Sequence, residues 1–195
     1  MMKIVLASQS QRRIDLLKQF GLDFKVCAAD IAEAACGSPE KTAVNNAVLK
    51  AKAVLAQYPE CLVIGADTVV VARNQILGKP RDRDEAFAML RMLSGAKHQV
   101  LTGVALLTAD REKCFYVATD VWIRELAAYE IRTYIDTGEP FDKAGGYAIQ
   151  GIGGAFVESI SGCYYNVVGL PMPRLLVELR GFGIDVFARG SCKEE

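Results

Sequence analysis

Short runs of β-branched and aliphatic residues alternate with stretches of helical periodicity from one end of this chain to the other. The first run, Ile4-Val5-Leu6-Ala7, predicts a strand that passes through the polar Ser8-Gln9-Ser10-Gln11-Arg12-Arg13 into an amphipathic helix, Ile14 to Phe20, closed by Gly21. Asp23 to Ala28 predicts a second strand, leading into a polar turn around Asp30 and Glu33. Ser38-Pro39-Glu40 then carries three helix-start signals: a serine cap, a proline at the first helical position and an acid beside it. Val44, Ala47, Val48, Ala51, Val54 and Leu55 form the apolar stripe of that helix, with Lys50 and Lys52 off it.

The run Cys61 to Val71 is the most apolar in the chain and predicts a central strand covered on both faces, interrupted by Asp67. A short turn at Arg73-Asn74-Gln75 returns through Ile76-Leu77 to Gly78-Lys79-Pro80, and Asp84 is the predicted cap of a helix ending near Ser94-Gly95. Val100 to Thr108 and Cys114 to Arg124 flank a polar turn and predict an antiparallel hairpin. A helix from about Tyr129 to Asp136 follows, then the stretch Asp142 to Gly154 with five glycines, whose backbone is free to pass close to a ligand. A strand near Phe156-Val157, a loop ending in Pro171 and a helix to about Arg180 complete the pattern. It predicts one α/β unit over residues 1–195, with no repeat and no linker.

Composition narrows the function. Lysine plus arginine (23) balance aspartate plus glutamate (23), so no global field draws the chain onto a nucleic-acid polymer or an anionic membrane. The opening Met1-Met2-Lys3 precedes only four apolar residues, too few for a signal-peptide core, and the expected compartment is the cytoplasm. Six cysteines, Cys27, Cys36, Cys61, Cys114, Cys163 and Cys192, are scattered without a C-x-x-C pair and read as reduced thiols. The single histidine, His98, excludes a multi-histidine zinc site and leaves catalysis to carboxylates and lysines; it reads as a packing residue at a strand start.

Two places carry candidate chemistry. At the first helix start, exposed N–H groups meet Arg12 and Arg13, which are the wrong sign for a helix N-terminus. Either a phosphate sits there with Ser8 and Ser10, or Ser10 caps the helix and both arginines reach into solvent. Asp67 is the second place, because a carboxylate within an apolar strand must be paired, metal-bound or satisfied by backbone N–H groups. An aspartyl-phosphate role is disfavoured, since Asp67-Thr68-Val69-Val70 lacks the second aspartate two positions on. Glu33 would supply the second acid that Mg²⁺ asks for when it bridges protein to phosphates, and Lys52 and Lys79 would neutralise a triphosphate if they converge on the pair; each alone reads as a solvated charge. Tyr164-Tyr165 reads as packing, with stacking on a base as the alternative.

Taken in order, Ser8-x-Ser10-x-Arg12-Arg13, Glu33, Lys52, Gly65-Ala66-Asp67-Thr68, Gly78-Lys79-Pro80, Ser94-Gly95-x-x-His98, Thr119-Asp120-Val121, Gly138-Glu139-Pro140, Asp142-Lys143-Ala144-Gly145-x-Tyr147-x-Ile149-Gln150-Gly151 and Val168-Gly169-Leu170-Pro171 resemble the Maf-like nucleoside triphosphate pyrophosphatases over nearly the whole chain. The resemblance implies an elongated two-lobed α/β fold around a central mixed sheet, with the site in the cleft between lobes. It implies hydrolysis of dTTP, UTP and modified uridine nucleotides, as distinct from 7-methyl-GTP, to the monophosphate and pyrophosphate, cleansing the nucleotide pool. Asp67 would be the proton acceptor, Glu33 and Asp67 would hold a divalent metal, Mg²⁺ or Mn²⁺, and Lys52 and Lys79 would neutralise the pyrophosphate. Arg12, Thr68 and Gln150 match positions of substrate specificity, and Ser8 and Arg13 would hold phosphate oxygens. The family's link to septum formation and division arrest offers a nucleotide-sensing role as the alternative, and its members often form homodimers. Two places depart from the pattern: Gln11 stands where the usual turn has proline, and the helix near Ala127 lacks a Ser/Thr cap while keeping Glu130.

Overall fold

A computed structural model describes residues 2–29 and 31–188. Met1, Asp30 of the expected polar turn and Cys192 lie outside the described residues. The strands are β1 (Ile4–Leu6), β2 (Phe24–Val26), β3 (Leu62–Ala72), β4 (Gln75–Leu77), β5 (Lys97–Leu107), β6 (Glu112–Ile123) and β7 (Val157–Ser161). They form one sheet in the order β2-β1-β3-β5-β6-β7, with β4 attached to β3. β1 runs parallel to β2 and β3, and the other pairings are antiparallel, so the sheet is mixed. β3 and β5 are buried along almost their whole length, which is why their sequences are near-continuous apolar runs. Arg73 and Asn74 both take positive φ, 48° and 65°, the geometry of a tight two-residue hairpin turn between β3 and β4.

The helices are α1 (Gln11–Gln19), α2 (Pro39–Leu55), α3 (Arg83–Leu93), α4 (Ala128–Asp136), α5 (Tyr164–Val168) and α6 (Met172–Arg180). Three local expectations need correction. α3 is capped by Asp82, whose side chain accepts from Glu85 N at 2.8 Å; Asp84 lies inside the first turn, where its charge faces the positive helix end. The expected loop before Pro171 contains the one-turn helix α5, fixed by Asn166, whose amide donates to Val100 O at 2.9 Å and to Thr119 Oγ1 at 3.0 Å. Ser10 sits at the N-cap of α1 without a side-chain hydrogen bond, and Ser8 Oγ instead accepts from Ser10 N at 3.2 Å. At α4, Glu130 Oε2 accepts from Ala127 N at 2.8 Å, so half of a capping box survives where alanine can supply no acceptor.

α2 lies on the sheet unusually closely. A Cβ at Gly65 would stand 2.2 Å from Ala47 O, and one at Gly103 2.3 Å from the Ala43 carbonyl carbon, so only glycine lets this helix meet β3 and β5. Ala43, Ala47 and Ala51 fill the contact, and the neighbouring row Thr42, Asn46 and Lys50 is buried with it. Lys50 therefore does not stand off the buried face, as the apolar stripe alone predicts; the close helix approach draws a polar row inward.

Two apolar clusters flank this arrangement. One joins Ile4, Leu6, Leu17, Ile64 and the α6 leucines; the other joins Val70, Leu90, Val100, Ile131 and Tyr134 across α3 and α4. Asp67 and Thr68 lie on β3 between the two, so the elongated two-lobed α/β fold puts the cleft where the lobes meet. Among the described residues the cysteines Cys27, Cys36, Cys61, Cys114 and Cys163 are free, and no helix is long and apolar enough to cross a membrane.

Candidate active site

The cleft between the lobes has a volume of about 870 Å³, within the range of nucleotide-sized ligand sites. Its floor is Asp67, 4% exposed, which β3 holds opposite Gly103 of β5. Lys50 Nζ donates to Asp67 Oδ1 at 2.7 Å and Asn46 Nδ2 donates to Asp67 Oδ2 at 3.0 Å, so both carboxylate oxygens are engaged by one helix face. Lys50 Nζ also donates to Glu33 Oε1 at 2.6 Å, which brings the two acids onto a single cation. Burial pushes the Glu33 carboxyl up, but the Lys50 hydrogen bond and charge, helped by Lys79 and Arg13, outweigh it and hold the carboxyl below the usual range. The loop that carries Glu33 is tied to the same helix, because Asn46 Oδ1 accepts from Ala34 N at 3.2 Å.

Arg13 is buried at the start of α1, and each of its three side-chain nitrogens donates one hydrogen bond. Its Nε donates to Gly169 O at 2.8 Å, one terminal nitrogen to Ser8 Oγ at 3.2 Å and the other to Thr68 Oγ1 at 3.0 Å. Burial pulls its pKa down, and the charge of Asp67 opposes that pull. Arg12, one residue back, stands 3.7 Å from the Asp142 carboxylate across the cleft mouth, and Gln150 lines the same side. Ser8, Ser10, Arg12, Arg13, Glu33, Asp67, Thr68, Lys79 and Gln150 are thus all brought to one cleft.

Lys52 is not. It is exposed, and its charge acts on Cys114 of β6 rather than on the carboxylates. Two residues turn an α-helix by about 200°, so Lys50 and Lys52 cannot face the same site. The signal that identifies Lys50 is the spacing Thr42, Asn46, Lys50, a polar row with a four-residue repeat lying beside the alanine row at Ala43, Ala47 and Ala51. Asn46 escaped the sequence reading for the same reason.

Glu33 and Asp67 also suit a hard divalent cation, which such sites bind through one or two carboxylates and substrate phosphate oxygens. Among the described residues no group of three or more His, Cys, Asp or Glu could hold a metal without such help.

His98 is buried at the other side of the cleft wall and shares a 2.7 Å hydrogen bond between its Nε2 and the hydroxyl of Tyr147, a lining residue. Burial pulls its pKa from 6.5 to about 4, with Asp120 opposing. Between those values the unfolded chain binds the proton and the folded chain does not, so stability falls as pH drops through that window, by on the order of 3 kcal/mol. Urea unfolding from about pH 7 to about pH 4.5 should show this loss, and a His98→Gln variant should have the shallower slope. Parallel slopes for the two proteins would contradict it.

Comparison with known proteins follows the same lines. A family model described as Maf-like protein matches residues 3–182. A dTTP/UTP pyrophosphatase of Symbiobacterium thermophilum is 47% identical over 193 residues, 98% of this chain and 100% of the relative. One of Carboxydothermus hydrogenoformans is 49% identical over 185 residues, 93% of this chain and 100% of the relative. Among solved structures, a HAM1 protein from Coxiella burnetii superposes with a TM-score of 0.53 at 15% identity, covering 93% of this chain and 100% of that one, a likeness of fold.

Proposed function

The chain belongs to the Maf-like protein family, and on that premise we propose that its cleft hydrolyses dTTP, UTP and modified uridine triphosphates to the monophosphate and pyrophosphate. The observation that carries the reading is the convergence of Asp67 and Glu33 on Lys50 at the floor of a cleft rimmed by Arg12, Arg13 and Lys79. Water oxygen bonds to the α-phosphorus as the P–O bond to the bridging oxygen breaks, and pyrophosphate leaves. Asp67 accepts the proton that the water loses. Lys50, in the place the resemblance gave to Lys52, holds Asp67 and Glu33 in register, and with Lys79 it offsets negative charge that builds on the leaving group. Ser8, Arg13 and the α1 N-terminus bind phosphate oxygens. Glu33 and Asp67 would hold a divalent cation, which would supply further charge neutralisation at the phosphates. Arg12, Thr68 and Gln150 select the base; the Gln150 amide, donor and acceptor side by side, matches the O4/N3 edge of uracil or thymine. Scattered free thiols support a cytoplasmic setting.

A panel of nucleoside triphosphates assayed for released pyrophosphate, with Mg²⁺ or Mn²⁺ and again with EDTA, tests this. The expected result is fastest turnover of dTTP and UTP, pyrophosphate as the product, and loss of turnover with the chelator. Orthophosphate as the first product, or a strong preference for GTP analogues, overturns it.

A further inference from the structure

The turn that presents Gln150 has no strand to hold it. Gly151 takes φ 84°, and a Cβ there would stand 3.0 Å from both carboxylate oxygens of Glu139, so that carboxylate sits directly under the turn. Ile152 N donates to Glu139 Oε2 at 3.1 Å and Gly153 N to Oε1 at 3.1 Å, which fastens the two backbone amides that follow Gly151. The Tyr134 hydroxyl donates to Oε1 at 3.0 Å, and its ring is buried edge-on against Phe156 at 5.0 Å, so the carboxylate is itself held by the α3–α4 core. Glu139 reaches the cleft a second way, since its main-chain oxygen accepts from the Nζ of Lys143, another lining residue, at 2.7 Å. Nothing in the proposed proton transfer uses Glu139.

We infer that Glu139 is a specificity-determining positioning residue: it fixes the 150–153 turn, and with it the Gln150 amide, against the pyrimidine edge of the substrate. The inference rests on the reading of the cleft given above. Without the carboxylate, two backbone N–H groups lose their acceptor and the turn must shift to find others. The phosphate side of the cleft, built on α1, β3 and α2, stays in place. The consequence is a loss of base discrimination with chemistry retained, whereas a purely structural role would lower stability and leave the substrate ranking alone.

The test compares dTTP with dGTP in the parent chain, Glu139→Ala, Glu139→Gln, Gln150→Ala and the double variant Glu139→Ala/Gln150→Ala. The preference for dTTP should fall about tenfold in Glu139→Ala, through KM, with kcat for dTTP within about threefold of the parent. Glu139→Gln, which keeps one acceptor, should fall between, and it carries the comparison if the alanine variant does not fold. The double variant should be no worse than Glu139→Ala alone, because both changes remove the same contact. A folded Glu139→Ala or Glu139→Gln protein with the parent's dTTP-to-dGTP ratio overturns the inference, as does a double variant whose losses multiply. A parent chain that splits neither nucleotide overturns the reading of the cleft itself, a result distinct from active variants with unchanged ranking.

Discussion

Turnover of dTTP should fall by roughly 10²–10⁴-fold when Asp67 is replaced by asparagine, the range over which removal of a general base acts. The substitution keeps the side-chain volume, so the close contact of α2 with β3 and β5 is undisturbed. Lys50 loses one carboxylate partner but keeps Glu33 at 2.6 Å, and an amide oxygen at position 67 can still accept from Asn46. Binding should change far less than turnover, because Ser8, Arg13 and the helix start, the groups proposed to meet the phosphates, are not touched. Single-turnover release of pyrophosphate, with thermal melting to confirm folding, separates the two effects. Equal turnover in parent and variant would remove Asp67 from the proton transfer. Should overexpression of the parent chain arrest division and the inactive variant do the same, that effect would belong to nucleotide binding and not to hydrolysis.

Most of the sheet was legible because its central strands are long, β-branched and covered on both faces, and because Arg73-Asn74 and the polar turn after β5 are strong local signals. Asp67 was legible as a charge inside such a strand. What escaped was decided by packing at a distance. Gly65 and Gly103 lie far apart in sequence, and only their placement on adjacent strands, Gly65 opposite Ala105 and Gly103 opposite Asp67, lets α2 descend until the row Thr42, Asn46, Lys50 is buried. A stripe drawn through apolar residues alone therefore puts Lys50 and Lys52 outside together, and it is the family resemblance that points to Lys52. The helix start differs in a smaller way: Ser10 makes no side-chain cap bond, and Ser8 Oγ, two residues earlier, accepts from Ser10 N and from the Arg13 guanidinium. α5 was invisible because its single turn depends on Asn166 reaching β5 and β6, contacts that no local pattern encodes.

The second large effect is expected at Lys50. Replacing it with methionine keeps an unbranched side chain of similar length for packing but leaves Asp67 and Glu33 facing each other without their shared cation. The two arms of this bridge differ in burial: the Asp67 side chain is 6% exposed and the Glu33 side chain 49%, against 11% for Lys50. Water screens the Glu33 arm, so its contribution is small. The Asp67 arm is buried, and removing one partner of such a pair costs about 3 kcal/mol. In a chain of this size that is a fall in Tm of about 6–12 °C, together with a loss of turnover as Asp67 and Glu33 drift out of register. Mn²⁺ or Mg²⁺ added without nucleotide should raise the Tm of Lys50→Met more than that of the parent, since the two freed carboxylates are the oxygen donors such a cation takes. Lys52→Met, two positions along the same helix but about 200° around it, should leave both Tm and turnover near the parent's values. A Lys50→Met protein as stable and as active as the parent would mean that the buried lysine does not hold the two acids together. Damage from Lys52→Met in its place would turn α2 about its axis and return the site to the exposed lysine.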